Sequence, residues 1–142
     1  MKKILGLDLG TKTLGIAISD VLGIAAHGLE NFVFEKGNYK AARERVLQIV
    51  KEQDIEEIAL GLPLHMNGEV SERAQSSMRF RDDLLKEKPN LKIELVDERM
   101  TTIIANNRLL EANLSRNKRK QVIDQQAAVV ILESYMSTRK VN

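Results

Sequence analysis

The order of hydrophobic patterns along this chain predicts an α/β fold, a mixed five-stranded sheet in the order β-β-β-α-β-α-β-α-α flanked by helices. Two observations predict it. Residues 3–34 hold three strand-like apolar segments joined by short Gly-bearing connections, the pattern of an antiparallel meander. The rest of the chain alternates short apolar runs with segments of helical period, which adds parallel strands and packs helices on the sheet faces. The whole, residues 1–142, is one domain, large enough for a substantial core.

The opening strands are Lys3–Leu9, Leu14–Asp20 and Ile24–Phe34. Asn38 is placed to cap a helix in which Ala42, Val46, Ile49 and Val50 recur at helical spacing. Ile55–Gly61 is a fourth strand. Leu62-Pro63-Leu64-His65-Met66-Asn67-Gly68 is a loop, because Pro and Asn-Gly both break regular structure. A second helix runs from about Ser71 to Glu87, with Ala74, Met78, Arg81 and Leu85 on one stripe, and stops before Pro89. Leu91–Glu98 is the fifth strand. Thr101 or Thr102 caps a third helix carrying Ile103, Asn107, Leu110 and Leu114, and a last helix after the basic stretch carries Ile123, Ala127, Val130, Ile131 and Ser134.

Composition narrows the class. The 43% hydrophobic and 30% charged fractions are those of an ordinary soluble protein and exclude a disordered chain. With no cysteine, disulfides and thiolate metal sites are excluded, which fits a reducing cytoplasm. No apolar run approaches the ~20 residues that span a bilayer, and the segment after Met1-Lys2-Lys3 is too short and too rich in Gly and Asp for a signal peptide. A net charge of +2 says little about partners. The cluster Arg116, Lys118, Arg119 and Lys120 says more.

Asp8 is the most informative residue. It lies in an apolar strand that breaks at Gly10-Thr11. A buried carboxylate needs a cation, a metal or hydrogen-bond donors beside it. The competing reading is a strand-end Asp that caps its own turn. Ligands of open α/β sheets sit outside the carboxyl ends of the parallel strands, and Asp97 and Glu98 end the fifth strand. Asp124 enters from the last helix, in or near its first turn, followed by Ala127 and Ala128, whose small side chains allow a close approach to the sheet. Acids from three elements at one sheet edge can hold Mg²⁺ or Mn²⁺, hard cations that prefer carboxylate and water oxygens. Two such ions about 4 Å apart support phosphodiester cleavage. Against this, the chain has 20 acidic residues, most of them expected to be surface charges. Period alone leaves both Asp97 and Glu98 as candidates, because a one-residue change of register exchanges them.

Four stretches taken together go further. They are Gly6-Leu7-Asp8-Leu9-Gly10-Thr11-Lys12 with Gly15, Gly61-Leu62-Pro63-Leu64 with Asn67-Gly68, Val96-Asp97-Glu98-Arg99-Met100-Thr101-Thr102, and Asp124 with Ala127-Ala128. In this order and at these spacings the chain resembles the YqgF family over essentially its whole length. Members of that family are described as Holliday-junction-resolvase-like proteins and as nucleases that mature the 5′ end of pre-16S rRNA. The resemblance implies a ribonuclease H-like fold and an acidic triad that falls here on Asp8, Glu98 and Asp124, as catalytic and metal-binding residues. The choice of Glu98 over Asp97 comes from the resemblance. Members often carry a small residue after the Asn-Gly turn, where this chain has Glu69. That departure bears on the shape of the loop and leaves the acids untouched.

Around the triad, Thr11, Lys12, Asn67, Arg99, Arg116, Lys118, Arg119 and Lys120 are candidate nucleic-acid contacts. Most have a plainer reading: Thr11 and Lys12 as an exposed hairpin turn, Arg99 as a partner that pairs with the acids and holds them, and the basic cluster as a solvated face. His65 reads as an exposed loop residue and His27 as structural. With three Phe and two Tyr, nothing suggests a stacking platform for bases, so recognition by backbone shape is expected. The leading expectation is a metal-dependent nuclease of structured nucleic acid, a monomer or weak homodimer acting on precursor rRNA. One alternative is a resolvase of junction DNA, which makes two symmetric cuts and needs a two-fold dimer. An ATP-hydrolysing relative of the actin fold is a second, although such proteins clamp nucleotide between two such domains. A nucleic-acid-binding module without turnover is a third.

Overall fold

A computed structural model describes residues 2–98 and the backbone of 116–141, with the side chains of that last segment described over 126–138. The expected helix carrying Ile103, Asn107, Leu110 and Leu114, its Thr101 or Thr102 cap, and Arg99 lie outside the described residues.

Strands β1 (Ile4–Leu9), β2 (Thr13–Ser19) and β3 (Ala26–Val33) form the antiparallel meander. Helix α1 (Tyr39–Gln53), strand β4 (Glu57–Leu62), helix α2 (Glu72–Glu87) and strand β5 (Lys92–Asp97) follow, and helix α3 (Arg116–Val141) closes the described chain. The sheet order is β3-β2-β1-β4-β5. Strands β1, β4 and β5 run parallel, so their carboxyl ends share one edge, as the alternation of elements predicts.

Each helix starts and stops for a local reason. The Asn38 side chain accepts from the Ala41 N–H at the start of α1. The Ser71 hydroxyl accepts from Ala74 N–H at 3.0 Å and donates to the Pro63 carbonyl, tying the start of α2 to the loop that follows β4. Helix α2 ends at Glu87, where the approach to Pro89 disfavours helical backbone.

The sheet separates two apolar layers. Leu5, Leu7 and Leu9 of β1 pack with Val46 and Ile49 of α1 and Phe80 and Leu84 of α2. Ile4 of β1 and Ala59 of β4 face Ala128, Ile131, Leu132 and Tyr135 of α3. The stripe read on α2 is corrected here. The buried residues are Ala74, Ser77, Phe80 and Leu84, one stripe over from Ala74, Met78, Arg81 and Leu85. Both stripes have helical period, and the larger area of Phe80 decides which is buried. His27 is also corrected: it is exposed on the edge strand β3, not packed in an apolar strand.

Helix α3 differs from expectation in its start. It begins at Arg116, so Arg116, Lys118, Arg119 and Lys120 occupy its first turns and Asp124 stands beyond them, not in the first turn. The small residues do what their size implies. Ala127 and Ala128 are fully buried, and the helix comes so near the sheet that a Cβ on Gly6 would lie 2.7 Å from Leu132 Cβ and 2.8 Å from the Ala128 carbonyl oxygen. Among the described residues, no helix is long and apolar enough to cross a membrane.

The Gly6 contact gives a direct check of this packing. Gly6→Ala must push α3 off the sheet, since the Ala128 carbonyl is backbone. It is expected to destabilise the protein by about 1–3 kcal/mol, the usual cost of overpacking, seen as a lower urea midpoint at unchanged slope. An unchanged midpoint would mean that α3 does not approach β1 this closely.

Candidate active site

Side chains alternate along β1, so Asp8 shares the α3 face with Ile4 and Gly6. Strand β4 lies beside it in the register Leu7↔Leu60, which carries Gly61 alongside Asp8. On the far side of β4, Gly61 pairs with Val96 and Leu62 with Asp97. Glu98 follows at the strand end, where its N–H donates to the Leu62 carbonyl at 3.2 Å. Gly61 therefore stands between the two acids. A Cβ there would overlap Glu98 Oε2 and come within 2.6 Å of Ile131 Cδ1. The glycine is needed because the Glu98 carboxyl lies across its backbone toward Asp8.

Both carboxyls are withdrawn from water, with side-chain exposures of 12% for Asp8 and 6% for Glu98. Asp97 is exposed. Burial pushes the Glu98 carboxyl up to about 8, and the neighbouring Asp8 charge pushes the same way. Arg73 pulls it down, while a side-chain hydrogen bond with Asp8 and the charge of Asp97 add to the rise. At neutral pH the raised Glu98 carboxyl favours keeping its proton, which its side-chain hydrogen bond with Asp8 helps to hold.

The nearest described cation is Arg73, in the first turn of α2. Its Nη2 donates to the Leu9 carbonyl at 3.0 Å and stands 3.7 Å from Asp8 Oδ1 and 4.0 Å from Glu98 Oε1. Sequence reasoning missed this residue and gave the pairing role to Arg99. A signal was present: the helix after β4 must start at the site edge, so a basic residue in its first turn is within reach of the strand-end acids.

The other candidates fall as follows. Thr11 and Lys12 are exposed in the β1–β2 turn, closed by Gly10 N–H on the Thr13 carbonyl at 2.8 Å. Asn67 is exposed in the loop after β4, and its Oδ1 accepts from Glu69 N–H at 2.9 Å, so its carbonyl end shapes the turn. His65 is exposed, as expected. The side chains of Arg116, Lys118, Arg119, Lys120 and Asp124 lie outside the described ones. Among the described residues, no group of three acids or histidines forms a metal cluster; the two that meet are Asp8 and Glu98. Their donor set is hard oxygen, which suits Mg²⁺ or Mn²⁺.

A mixed five-stranded sheet in the order β3-β2-β1-β4-β5 with helices on its faces is the ribonuclease H-like fold. Solved structures share it. The chain superposes on Thermus thermophilus RuvC in complex with Holliday junction substrate with TM-score 0.59 at 16% identity, covering 99% of this chain and 96% of the other. It superposes on the fowlpox virus resolvase, in its complex with Holliday junction DNA, with TM-score 0.57 at 14% identity, covering 96% and 98%. The chain belongs to the RuvX family, described as Holliday junction resolvase, whose model it matches over residues 2–138. It is 45% identical over 138 residues to a Geobacillus protein named "Putative pre-16S rRNA nuclease", covering 97% of this chain and 99% of the relative. A Staphylococcus aureus protein of the same name is 41% identical over 136 residues, covering 96% of each. The YqgF resemblance is thereby borne out.

The proton held on Glu98 sets a pH dependence. The unfolded chain releases the Glu98 proton near 4.5, whereas the folded chain holds it to about 8. Between those values the folded state binds more protons, so this group makes stability fall as pH rises, and below 4.5 it makes no difference. In EDTA, the melting temperature of Glu98→Gln minus that of wild type is expected to widen steadily from about pH 4.5 to about pH 8 and then level off. A constant difference across that range would contradict the raised Glu98 carboxyl.

Proposed function

We propose that this chain is a divalent-metal-dependent nuclease of structured RNA, acting at the 5′ end of precursor 16S rRNA, with Asp8, Glu98 and Asp124 as its catalytic and metal-binding acids. The observation that carries this is the meeting of Asp8 and Glu98 across Gly61. A divalent ion held by two such carboxyls would displace the proton that Glu98 otherwise favours keeping.

Backbone register supports the third acid. Ala128 and Leu132 of α3 lie on Gly6. One turn back along the same stripe is Asp124, about 6 Å along the helix. Two residues along the same face of β1 is Asp8, about 6.6 Å toward the same edge. This register would set Asp124 level with Asp8. Bound among these acids, Mg²⁺ or Mn²⁺ would supply Lewis acidity toward the phosphodiester and a water nucleophile at neutral pH. The acids orient the ions, and the close seat of α3 on Gly6 fixes the acids.

The basic turns of α3 lie further out on the same line. Lys120 is about 12 Å beyond Ala128 along the helix, past the level of Asp8. Arg116, Lys118, Arg119 and Lys120 would then meet a phosphate backbone arriving at this edge, with Thr11, Lys12, Asn67 and Arg99 as further proposed contacts. Binding of this kind reads backbone charge and shape and weakens as salt rises. The names borne by the Geobacillus and Staphylococcus relatives favour the RNA substrate. The family description favours a second reading, cleavage of four-way DNA junctions.

One assay separates the readings. Labelled precursor 16S rRNA and a four-way DNA junction are incubated with the protein and Mg²⁺ or Mn²⁺. The RNA is expected to be cut at its 5′ side and the junction left whole. Asp8→Asn should slow the cut by at least about a hundredfold, the upper range for losing even an outer-shell partner of a metal. Cleavage of the junction alone would favour the resolvase reading. No cleavage of either, or equal cleavage by Asp8→Asn, would reject the nuclease.

A further inference from the structure

We propose that Arg73 is the resident counter-cation of the Asp8–Glu98 pair and is displaced when a divalent ion binds, an inference that rests on the metal reading above. Its geometry is that of a placeholder. The Nη2 stands 3.7 Å from Asp8 Oδ1 and 4.0 Å from Glu98 Oε1, both too long for a hydrogen bond. Its short bond, 3.0 Å, goes to a neutral group, the Leu9 carbonyl.

Arg45 in the same molecule shows what a locking arginine looks like. It grips Glu30 with two bonds, Nε to Oε2 at 2.9 Å and Nη2 to Oε1 at 2.6 Å. Arg73 makes no such fork with either acid of the site. It straddles them.

Its surroundings let it leave. The Arg73 side chain is 49% exposed, whereas the two acids it faces are 12% and 6% exposed. The backbone of its turn is held independently by Ser71, through Ala74 and Pro63, so the guanidinium can swing into solvent without unwinding α2. A divalent ion on the pair would meet the like charge of a guanidinium that stands 3.7 Å and 4.0 Å from the two acids, a repulsion that the flexible stem would relieve by moving away. Metal loading is then coupled to the release of a guanidinium at the mouth of the site.

The test is Mn²⁺ binding to the full chain with no nucleic acid, followed by loss of the free-ion electron paramagnetic resonance signal. Arg73→Gln is expected to bind Mn²⁺ about tenfold more tightly than wild type, a conservative figure for one like charge removed at this range from a half-exposed position. Arg73→Lys keeps the charge and should stay near wild type. Adding Asp8→Asn to Arg73→Gln should erase the gain. A second measurement needs no variant: saturating Mg²⁺ should shift the wild-type Arg73 Nε–Hε NMR signal to the position of a solvated guanidinium. Equal or weaker Mn²⁺ binding by Arg73→Gln, or an unmoved Arg73 signal at Mg²⁺ saturation, would overturn the inference and leave the metal site standing. Absence of Mn²⁺ binding by both wild type and Arg73→Gln would overturn the inference together with the metal reading beneath it.

Discussion

Two carboxyl groups from different strands meet over the backbone of a third strand, and they can do so because Gly61 has no side chain. Much of the rest follows from that contact. Parallel pairing of β1, β4 and β5 puts the strand ends at one edge. The register then sets Asp8, Gly61 and the residue after β5 side by side. Any residue larger than glycine at 61 would drive the Glu98 carboxyl away from Asp8 and collide with Ile131 of α3.

The electrostatic character of the site comes from packing. Helix α3 seals one face of the sheet through Ala127, Ala128 and Leu132, and the first turn of α2 closes the edge with Arg73. Water is thinned out around Glu98, its charged form becomes costly, and the pair holds a proton. The paired carboxyls offer hard oxygen donors, a type that suits small divalent cations better than softer metals. A half-exposed arginine stands near both acids, at 3.7 Å and 4.0 Å, without a hydrogen bond to either. The same close packing that makes the acids uncomfortable also fixes their positions.

Much of this was legible in the sequence, for reasons that differ by residue. The helical period of Ala42, Val46, Ile49 and Val50 identified the buried face of α1, because nothing competes with that stripe. On α2 two neighbouring stripes share Ala74, and the volume of Phe80 settled between them only once the sheet was in place. Ala127 and Ala128 announced a close helix approach, which Gly6 on the opposite wall completes. Asp97 and Glu98 could not be separated by period, because the answer depends on strand parity. Val96 faces α3, so Glu98, two residues on, turns to the same side and Asp97 to solvent. Arg73 was invisible for another reason. Its importance lies in the reach of a long side chain around a sheet edge, and spacing along the chain does not encode that reach.

If Asp8 and Glu98 form one side of a cradle for a divalent ion, manganese should occupy it. Diffraction from crystals soaked in Mn²⁺, collected on both sides of the manganese absorption edge, tests it most directly. An anomalous peak is expected within coordination distance of both carboxylates. Crystals that diffract well and show no manganese there, with the two carboxyls still side by side, would contradict it.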